Sequence, residues 1–242
     1  MTTPLPDGPV LPIELHSVRL ALGGQTLIHD VDCSIVDRGV TAVMGPNGAG
    51  KSLLLRLMHG LLQPDAGELR WNGAPLDRNV RLRQAMIFQR PVLLRRTVRA
   101  NLEFVVRARP SGGSPDLGAL LQRVGLETKA TQQARRLSGG EQQRLAMARA
   151  MALAPAVLLM DEPTASLDPA SIAMIESLIA DETAAGTKVI IVTHDLGQAR
   201  RVANDVLFMH RGRITEHTDA RQFFAGPASQ PARDYVAGRL VM

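Results

Sequence analysis

A glycine-rich stretch, GPNGAGKS, occupies residues 45–52 and has the composition of a phosphate-binding loop. It fits the spacing G-x-x-x-x-G-K-[ST], follows the apolar run VTAVMG and precedes the helix-forming segment LLLRLMHGLL. Glycines let such a loop curl until its N–H groups converge on phosphate oxygens, and the next helix adds its positive dipole end. Lys51 would then reach the β- and γ-phosphates, and the Ser52 hydroxyl would bind Mg²⁺. The predicted nucleotide-binding residues are Gly45, Pro46, Asn47, Gly48, Ala49, Gly50, Lys51 and Ser52.

Two carboxylates follow the apolar run AVLLM, at Asp161 and Glu162. Ligands of parallel sheets collect where the strands end, so both side chains are placed to meet a bound nucleotide. Asp161, nearer the strand, suits the Mg²⁺ shell, and Glu162 suits the general base that activates water for attack on the γ-phosphate. Two acidic residues alone could equally begin an ordinary loop. The phosphate loop earlier in the chain favours the catalytic interpretation.

A second anion-binding pattern, LSGGEQQR, occupies residues 137–144. Ser138 and Glu141 have the spacing of a capping box, and the following RLAMARAMAL is strongly helix-forming. Gly139 and Gly140 leave the first N–H groups of that helix uncovered, which favours an anion by the same physics as the phosphate loop. A plainly capped helix would have the same local pattern.

Six motifs occur in an order that resembles the ATP-binding subunits of ABC transporters, over about residues 13–217. They are GPNGAGKS, FQRP, LSGGEQQR, VLLMDEP, ASLD and VTHD. The resemblance implies an ATPase that uses ATP and Mg²⁺. It also implies a partnership with a second copy of the chain, in which the phosphate loop of one copy and Ser138, Gly139 and Gly140 of the other enclose each ATP.

The resemblance assigns roles to four further residues. Gln89 matches a glutamine that joins the Mg²⁺ and water ligands, and His194 matches a histidine that contacts the γ-phosphate and holds the water of Glu162. The catalytic set is therefore Glu162, His194 and Gln89, and the metal set is Ser52, Gln89 and Asp161. Asp168 matches an aspartate that crosses the dimer interface. Leu22 takes the place of the aromatic residue that usually stacks on adenine, which predicts weaker discrimination between bases.

Alternating strand and helix patterns predict an α/β fold. The expected architecture is a P-loop NTPase core with a parallel sheet, an N-terminal antiparallel β subdomain and an inserted helical subdomain at about residues 90–135. Residues 1–12 are expected to be a flexible segment, and residues 13–242 one ATP-binding domain. The stretch GELRWNGAPL is predicted to form a pair of strands, and DVLFMHRGRITEH a hairpin that turns at Arg211 and Gly212.

The composition of the chain limits its possible partners and its possible location. The net charge of +5 comes from arginines concentrated at residues 78–136, which fits a solvated face or an anionic membrane surface. Nucleic acid is not expected as a partner, because aromatic residues make up only 3% of the chain and none alternates with the arginines. The single cysteine, Cys33, excludes an internal disulfide framework. No signal sequence or membrane-spanning apolar run is visible, which predicts a cytoplasmic protein.

The resemblance favours a bacterial importer. The segment FQRPVLLRRTVRANLEF resembles the part of transporter ATPases that forms a groove for a cytoplasmic helix of an integral membrane permease. In this chain the groove is expected near Gln89–Leu94. A solute-binding protein would then be an indirect partner, and the subunit would lie peripherally on the cytoplasmic face of the inner membrane. The amino-acid sequences of the motifs are most similar to those in the ATPases of importers of oxyanions such as tungstate or phosphate. An exporter or lipoprotein-release ATPase and a non-transport iron–sulfur assembly ATPase remain as alternatives.

Overall fold

The computed structural model describes residues 9–36, 39–108 and 115–239. The strands are β1 (Ile13–Leu22), β2 (Gln25–Ile35), β3 (Val40–Met44), β4 (Ala66–Trp71), β5 (Gln84–Ile87), β6 (Val157–Asp161), β7 (Lys188–Val192), β8 (Asp205–His210) and β9 (Arg213–Asp219). The helices are α1 (Lys51–His59), α2 (Arg78–Leu82), α3 (Val98–Ala108), α4 (Leu117–Arg123), α5 (Gly139–Met151), α6 (Pro169–Ala184), α7 (Leu196–Val202), α8 (Ala220–Ala225) and α9 (Gln230–Val236). Two 3₁₀ turns cover Glu127–Lys129 and Ala134–Arg136.

The main sheet has the strand order β5-β6-β7-β3-β8-β9. Its strands are parallel except for the edge strand β9, which pairs antiparallel with β8 through the predicted turn at Arg211 and Gly212. Every residue of β3, β6 and β7 is buried, as expected for parallel strands covered on both faces. Because β7 lies between β6 and β3, the segments that follow these three strands leave the sheet side by side.

A smaller antiparallel sheet has the order β2-β1-β4, as predicted for the N-terminal part of the chain. The prediction of two strands in GELRWNGAPL is wrong, since only β4 forms there. Trp71 donates to the Ala74 carbonyl at 2.7 Å, closing a turn whose central residues have positive φ, and the chain then leaves the sheet. Pro75 has no N–H with which to continue a ladder, which explains why no second strand follows.

Two apolar cores cover the two faces of the main sheet. One packs the inner face of the antiparallel sheet and α1 against the sheet, with Leu54 and Leu55 fully buried. The other packs α3, α4, α5 and α6 against the opposite face, with Leu102, Leu121 and Leu145 fully buried or nearly so. The helices α3 and α4 and both 3₁₀ turns fall in the region expected to be helical. Within the described ranges, none of the helices combines the length and apolar character needed to cross a bilayer.

The segment expected to be flexible, residues 1–12, lies outside the described ranges except for its last four residues. Of these, Val10 is buried in the core beneath the antiparallel sheet. The carbonyl of Pro12 accepts a hydrogen bond of 2.8 Å from the N–H of Asn72. The ordered packing of the chain therefore begins before β1.

Candidate nucleotide-binding and catalytic site

The predicted phosphate loop connects β3 to α1. Gly50 caps the helix with φ 98°, a left-handed conformation that glycine adopts without steric cost. Lys51 is only 6% exposed, and its ammonium group donates to the carbonyl oxygens of Gly45 and Pro46 at 2.9 Å each. Burial lowers the pKa of Lys51, and the negative charges of Glu162 and Asp161 oppose that shift. The cation is thus held inside the curl of the loop.

Ser52 and Asp161 meet beside this loop, as expected for a metal site. The Ser52 hydroxyl donates to Oδ1 of Asp161 at 2.7 Å, and the carboxylate is almost fully buried. A hydroxyl and a carboxylate supply oxygen ligands of the kind that Mg²⁺ prefers. The residues present therefore fit a magnesium ion at the start of α1.

Glu162 is held in an unusual conformation at the end of β6. Its φ is 45°, which is rare for a residue with a side chain, and its N–H donates to the Val192 carbonyl at 3.0 Å. Oε2 of Glu162 accepts from Nε2 of Gln89 at 3.1 Å and lies 3.4 Å from Nδ1 of His194. Two of the side chains predicted to be catalytic, Gln89 and His194, therefore converge on one carboxylate oxygen of the third, Glu162.

Glu162 and His194 border a pocket of about 410 Å³. Its lining consists of Gly45, Pro46, Asn47, Glu162, His194, Leu196 and Tyr235. Tyr235, the only tyrosine of the chain, was not predicted as a site residue, because its surrounding sequence ARDYVAGR carries no motif. None of the described lining residues comes from the second anion-binding pattern, residues 137–144.

That second pattern begins α5 with the capping box expected from the sequence. The Ser138 side chain accepts from the N–H of Glu141 at 3.4 Å, and the Glu141 carboxylate accepts from the N–H of Ser138 at 2.9 Å. A hydrogen bond from Lys129, followed by the one from the Ser138 backbone, lowers the pKa of the Glu141 carboxyl. The carboxylate stays charged and keeps the helix start fixed.

The two glycines of this pattern have different surroundings. A Cβ atom on Gly140 would collide with Ser171 at the start of α6, whereas no atom of the described ranges lies within 4 Å of one built on Gly139. Ser171 is in turn bound by Asp168, whose carboxylate caps α6 by accepting from the Ser171 N–H at 2.9 Å and from its hydroxyl at 2.6 Å. A side chain at position 140 would therefore displace Ser171, whereas one at position 139 would meet none of the described residues.

Leu22 ends β1 and is 44% exposed. It is not among the residues that border the pocket of Glu162 and His194. Its side chain offers an apolar surface without an aromatic face. Contact between Leu22 and adenine stays a prediction.

A groove of about 320 Å³ lies on the far side of the segment that contains Gln89. Its walls come from β5, from the second half of α5, and from Phe88, Pro91, Val92, Leu94, His59 and Val105. Val92 is 73% exposed at this groove, and Arg149 of α5 donates to the Val92 carbonyl at 2.6 Å. Gln89 itself does not line the groove, since its side chain points to Glu162.

Comparison with known protein families agrees with this geometry. The family model described as ABC transporter matches residues 28–165. The L-cystine transport system ATP-binding protein TcyN of Escherichia coli (strain K12) is 35% identical over 93% of this chain and 96% of its own length. The phosphate import ATP-binding protein PstB 1 of Vibrio parahaemolyticus is 35% identical over 94% of this chain and 90% of its own length. The tungstate uptake system ATP-binding protein TupC of Peptoclostridium acidaminophilum is 34% identical over 84% of this chain and 97% of its own length.

Solved structures also superpose on this chain. The cbiO1 subunit of Clostridium perfringens, part of the ABC transporter complex cbiONQ, superposes with a TM-score of 0.77 at 27% identity, covering 88% of this chain and 90% of that one. A dimeric ATP-binding cassette in a post-hydrolysis state, bound to ADP and Pi, has a TM-score of 0.76 at 27% identity, covering 86% and 99%. The chain belongs to the ABC transporter family as an ATP-binding subunit, an ATPase that uses ATP and Mg²⁺.

Proposed function

We propose that this subunit powers an importer by closing head to tail on a second copy of itself, with one ATP in each of two shared sites. The observation that carries the proposal is the separation of two anion-binding helix starts within one chain. The pocket of the phosphate loop has no described lining residue from 137–144, while none of the residues that the structure describes covers Gly139 at the other helix start. A second copy would bring its Ser138, Gly139 and Gly140 to the phosphates, with Asp168 at the interface.

Within each site, the phosphate loop would hold the nucleotide through its N–H groups and through Lys51. Ser52 and Asp161 would hold Mg²⁺, with Gln89 as a further ligand. The ion supplies positive charge that neutralises the phosphate oxygens. Leu22 would contact the adenine through an apolar surface alone.

Hydrolysis would depend on Glu162 as the general base. As the water oxygen bonds to the γ-phosphorus and the bond to the ADP oxygen breaks, the carboxylate would accept the proton that the water loses. Gln89 and His194 both lie within reach of Glu162 Oε2, so they can orient the same water. The His194 side chain is 58% exposed, which leaves it free to contact the γ-phosphate.

Helix α5 would transmit the closing movement of the dimer to a membrane partner. This helix begins at the Ser138 cap, and its later residues Ala146, Arg149 and Ala150 line the groove. Gln143 of the same helix donates to the Phe88 carbonyl at 3.4 Å, next to Gln89. Closure on ATP would therefore shift the groove as part of one packed unit. A cytoplasmic helix of a permease would dock near Gln89–Leu94, which places the subunit peripherally on the cytoplasmic face of the inner membrane.

The substrate we propose is an oxyanion such as tungstate or phosphate, delivered by a solute-binding protein that contacts the permease. The support is the similarity to a phosphate importer at 35% identity and a tungstate importer at 34%. An amino acid is the second candidate, because the cystine-system relative is also 35% identical over nearly the whole chain. In either case the permease and binding protein would select the substrate.

The test is a pull-down of tagged Glu162→Gln from native membranes in the presence of ATP, with Lys51→Ala as the matched control that should not bind nucleotide. We expect a polytopic permease and a solute-binding protein to copurify. Titrating that binding protein with tungstate, phosphate and L-cystine then decides the substrate class. A scaffold protein without membrane spans as the partner would contradict import.

A further inference from the structure

Tyr235 borders the catalytic pocket from a helix that none of the family motifs includes. Its hydroxyl donates to the main-chain carbonyl of His194 at 3.4 Å. Its ring meets Phe208 of β8 edge to face, with ring centroids 5.3 Å apart. One side chain therefore joins the loop of His194 to the aromatic core beneath the pocket.

The fold anchors the helix that carries Tyr235 at its first end. Before α9, the carboxylate of Glu216 on β9 accepts from the N–H groups of Ala228 and Ser229, both at 3.0 Å. Asp234, within α9, forms an ion pair of 2.6 Å with Arg239, which follows the helix and keeps its end compact. Helix α9 is thereby fixed against the sheet, and the position of Tyr235 is determined by tertiary contacts.

The strand beneath Tyr235 also leads to the phosphate loop. Phe208 pairs with Met44, the last residue of β3, and Met44 is followed directly by Gly45. The pocket lining places Gly45, Glu162 and His194 around the Tyr235 side chain. Tyr235 thus occupies a point where the phosphate loop, the predicted base and the His194 loop meet.

The hydroxyl of Tyr235 is suited to donate a hydrogen bond at neutral pH. Burial, followed by the negative charge of Glu162, raises the pKa of Tyr235, while the backbone of Gly45 opposes the shift. A phenol that keeps its proton can hold a carbonyl oxygen. A donor at this position acts on the backbone of His194 and leaves the imidazole free.

We propose that Tyr235 is a positioning residue for ATP hydrolysis, whose hydroxyl holds the main chain of His194 and so directs its imidazole toward Glu162 and the γ-phosphate. The inference rests on the proposed function, in which His194 and Glu162 act on the attacking water. Orientation matters here because the imidazole is 58% exposed, so it can turn, and lies only 3.4 Å from the carboxylate.

The test compares Tyr235→Phe with the wild-type chain in steady-state ATPase assays. Phenylalanine keeps the ring contact with Phe208 and removes the hydroxyl. We expect kcat to fall about 2- to 10-fold, the range that one hydrogen bond supports, with KM for ATP within about twofold and a melting temperature lowered by no more than about 6 °C. Phe223→Leu is the matched control, because it disturbs the same aromatic cluster away from the pocket. It should lower the melting temperature and leave kcat unchanged at a temperature where the chain is folded.

A double-mutant cycle separates positioning from a general structural effect. If the hydroxyl acts through His194, Tyr235→Phe should cause no further loss of kcat in the His194→Ala background. Wild-type kcat in Tyr235→Phe, or equal losses in both backgrounds, would overturn the assignment. A fall in melting temperature of more than about 6 °C together with a rise in KM that accompanies the kcat loss would also overturn it. Wild-type kcat in His194→Ala would instead refute the role of His194 in the proposed function, and this inference with it.

Discussion

The Ser52 hydroxyl donates a hydrogen bond of 2.7 Å to Asp161, although 109 residues separate the two along the chain. Ser52 follows the phosphate loop that leaves β3, and Asp161 ends β6. These strands are separated in the sheet only by β7, so their carboxyl ends open at the same edge. Two motifs that are remote in sequence thereby supply adjacent oxygen atoms.

Removing one of these oxygen atoms should weaken magnesium binding. We expect Ser52→Ala to raise the Mg²⁺ concentration needed for half-maximal ATPase activity by at least about 10-fold, since oxygen ligands and their partners control affinity for this ion. Ser52→Thr keeps the hydroxyl and is the control, which should respond to Mg²⁺ as the wild type does. An unchanged Mg²⁺ titration in Ser52→Ala would remove Ser52 from the metal site.

The predicted base and the phosphate-binding lysine should separate hydrolysis from binding. Glu162→Gln should lower kcat by about 100-fold or more while ATP still binds and a stable dimer accumulates, because the amide cannot accept the proton. Lys51→Ala should lose ATP binding and stay monomeric under the same conditions. Equilibrium ATP binding and light scattering after gel filtration measure both effects. Normal hydrolysis by Glu162→Gln would show that another group acts as the base.

An aromatic side chain at position 22 should improve nucleotide affinity. Leu22 is exposed and offers no ring face, whereas a tyrosine there could stack on the base. We expect Leu22→Tyr to bind ATP several-fold more tightly and to discriminate better against GTP. The control is Leu61→Tyr. Leu61 is also an exposed leucine, and it lies after the C-terminal end of α1, away from the phosphate loop. Equal Kd values for wild type and Leu22→Tyr would indicate that the base lies elsewhere.

Acid should destabilise the fold through Asp205, at the edge of the sheet opposite the nucleotide site. Burial alone would raise the pKa of Asp205, but the hydrogen bond from His217, the charge of Lys188 and the Thr41 hydroxyl together lower it below its ordinary value of 3.8. A depressed carboxyl pKa contributes stability that is complete above pH 3.8 and is lost as the pH falls through the folded-state value.

Substitution of Asp205 should therefore change both stability and its pH dependence. We expect Asp205→Asn to lower the free energy of unfolding by about 1–3 kcal/mol at pH 7 and to flatten the loss of stability below pH 4. Urea unfolding at several pH values measures this. The control Glu68→Gln removes an exposed ion pair with Arg70 and should change the free energy by less than about 1 kcal/mol. If the free energy of unfolding falls with pH in the same way in the wild type and in Asp205→Asn, Asp205 is not a source of the acid sensitivity.

Local patterns in the sequence predicted much of the fold. The apolar runs VTAVMG and AVLLM and the capping box at Ser138 depend on neighbouring residues, and the structure has them as β3, β6 and the start of α5. The pair of strands expected at GELRWNGAPL is absent, because its turn is followed by a proline and the chain leaves the sheet.

A different cause explains why Tyr235 was not predicted as a site residue. Tyr235 is 41 residues from His194 along the chain, and its place in the pocket depends on the docking of α9 on the sheet. No periodicity or motif in ARDYVAGR encodes that contact. The convergence of Gln89 and His194 on Glu162 was expected only through the family resemblance, since the three residues belong to separate segments.

The central claim is that each active site is shared between two chains, and mixing two inactive variants tests it most directly. Ser138→Arg blocks the second anion-binding helix start, and Lys51→Ala disables the phosphate loop, so a heterodimer of the two retains one intact site. Each variant alone should be inactive and folded by its melting curve, and the mixture should recover ATPase activity of up to half the wild-type turnover per heterodimer. Full activity of Ser138→Arg alone, or no recovery in a mixture that forms heterodimers, would contradict the account.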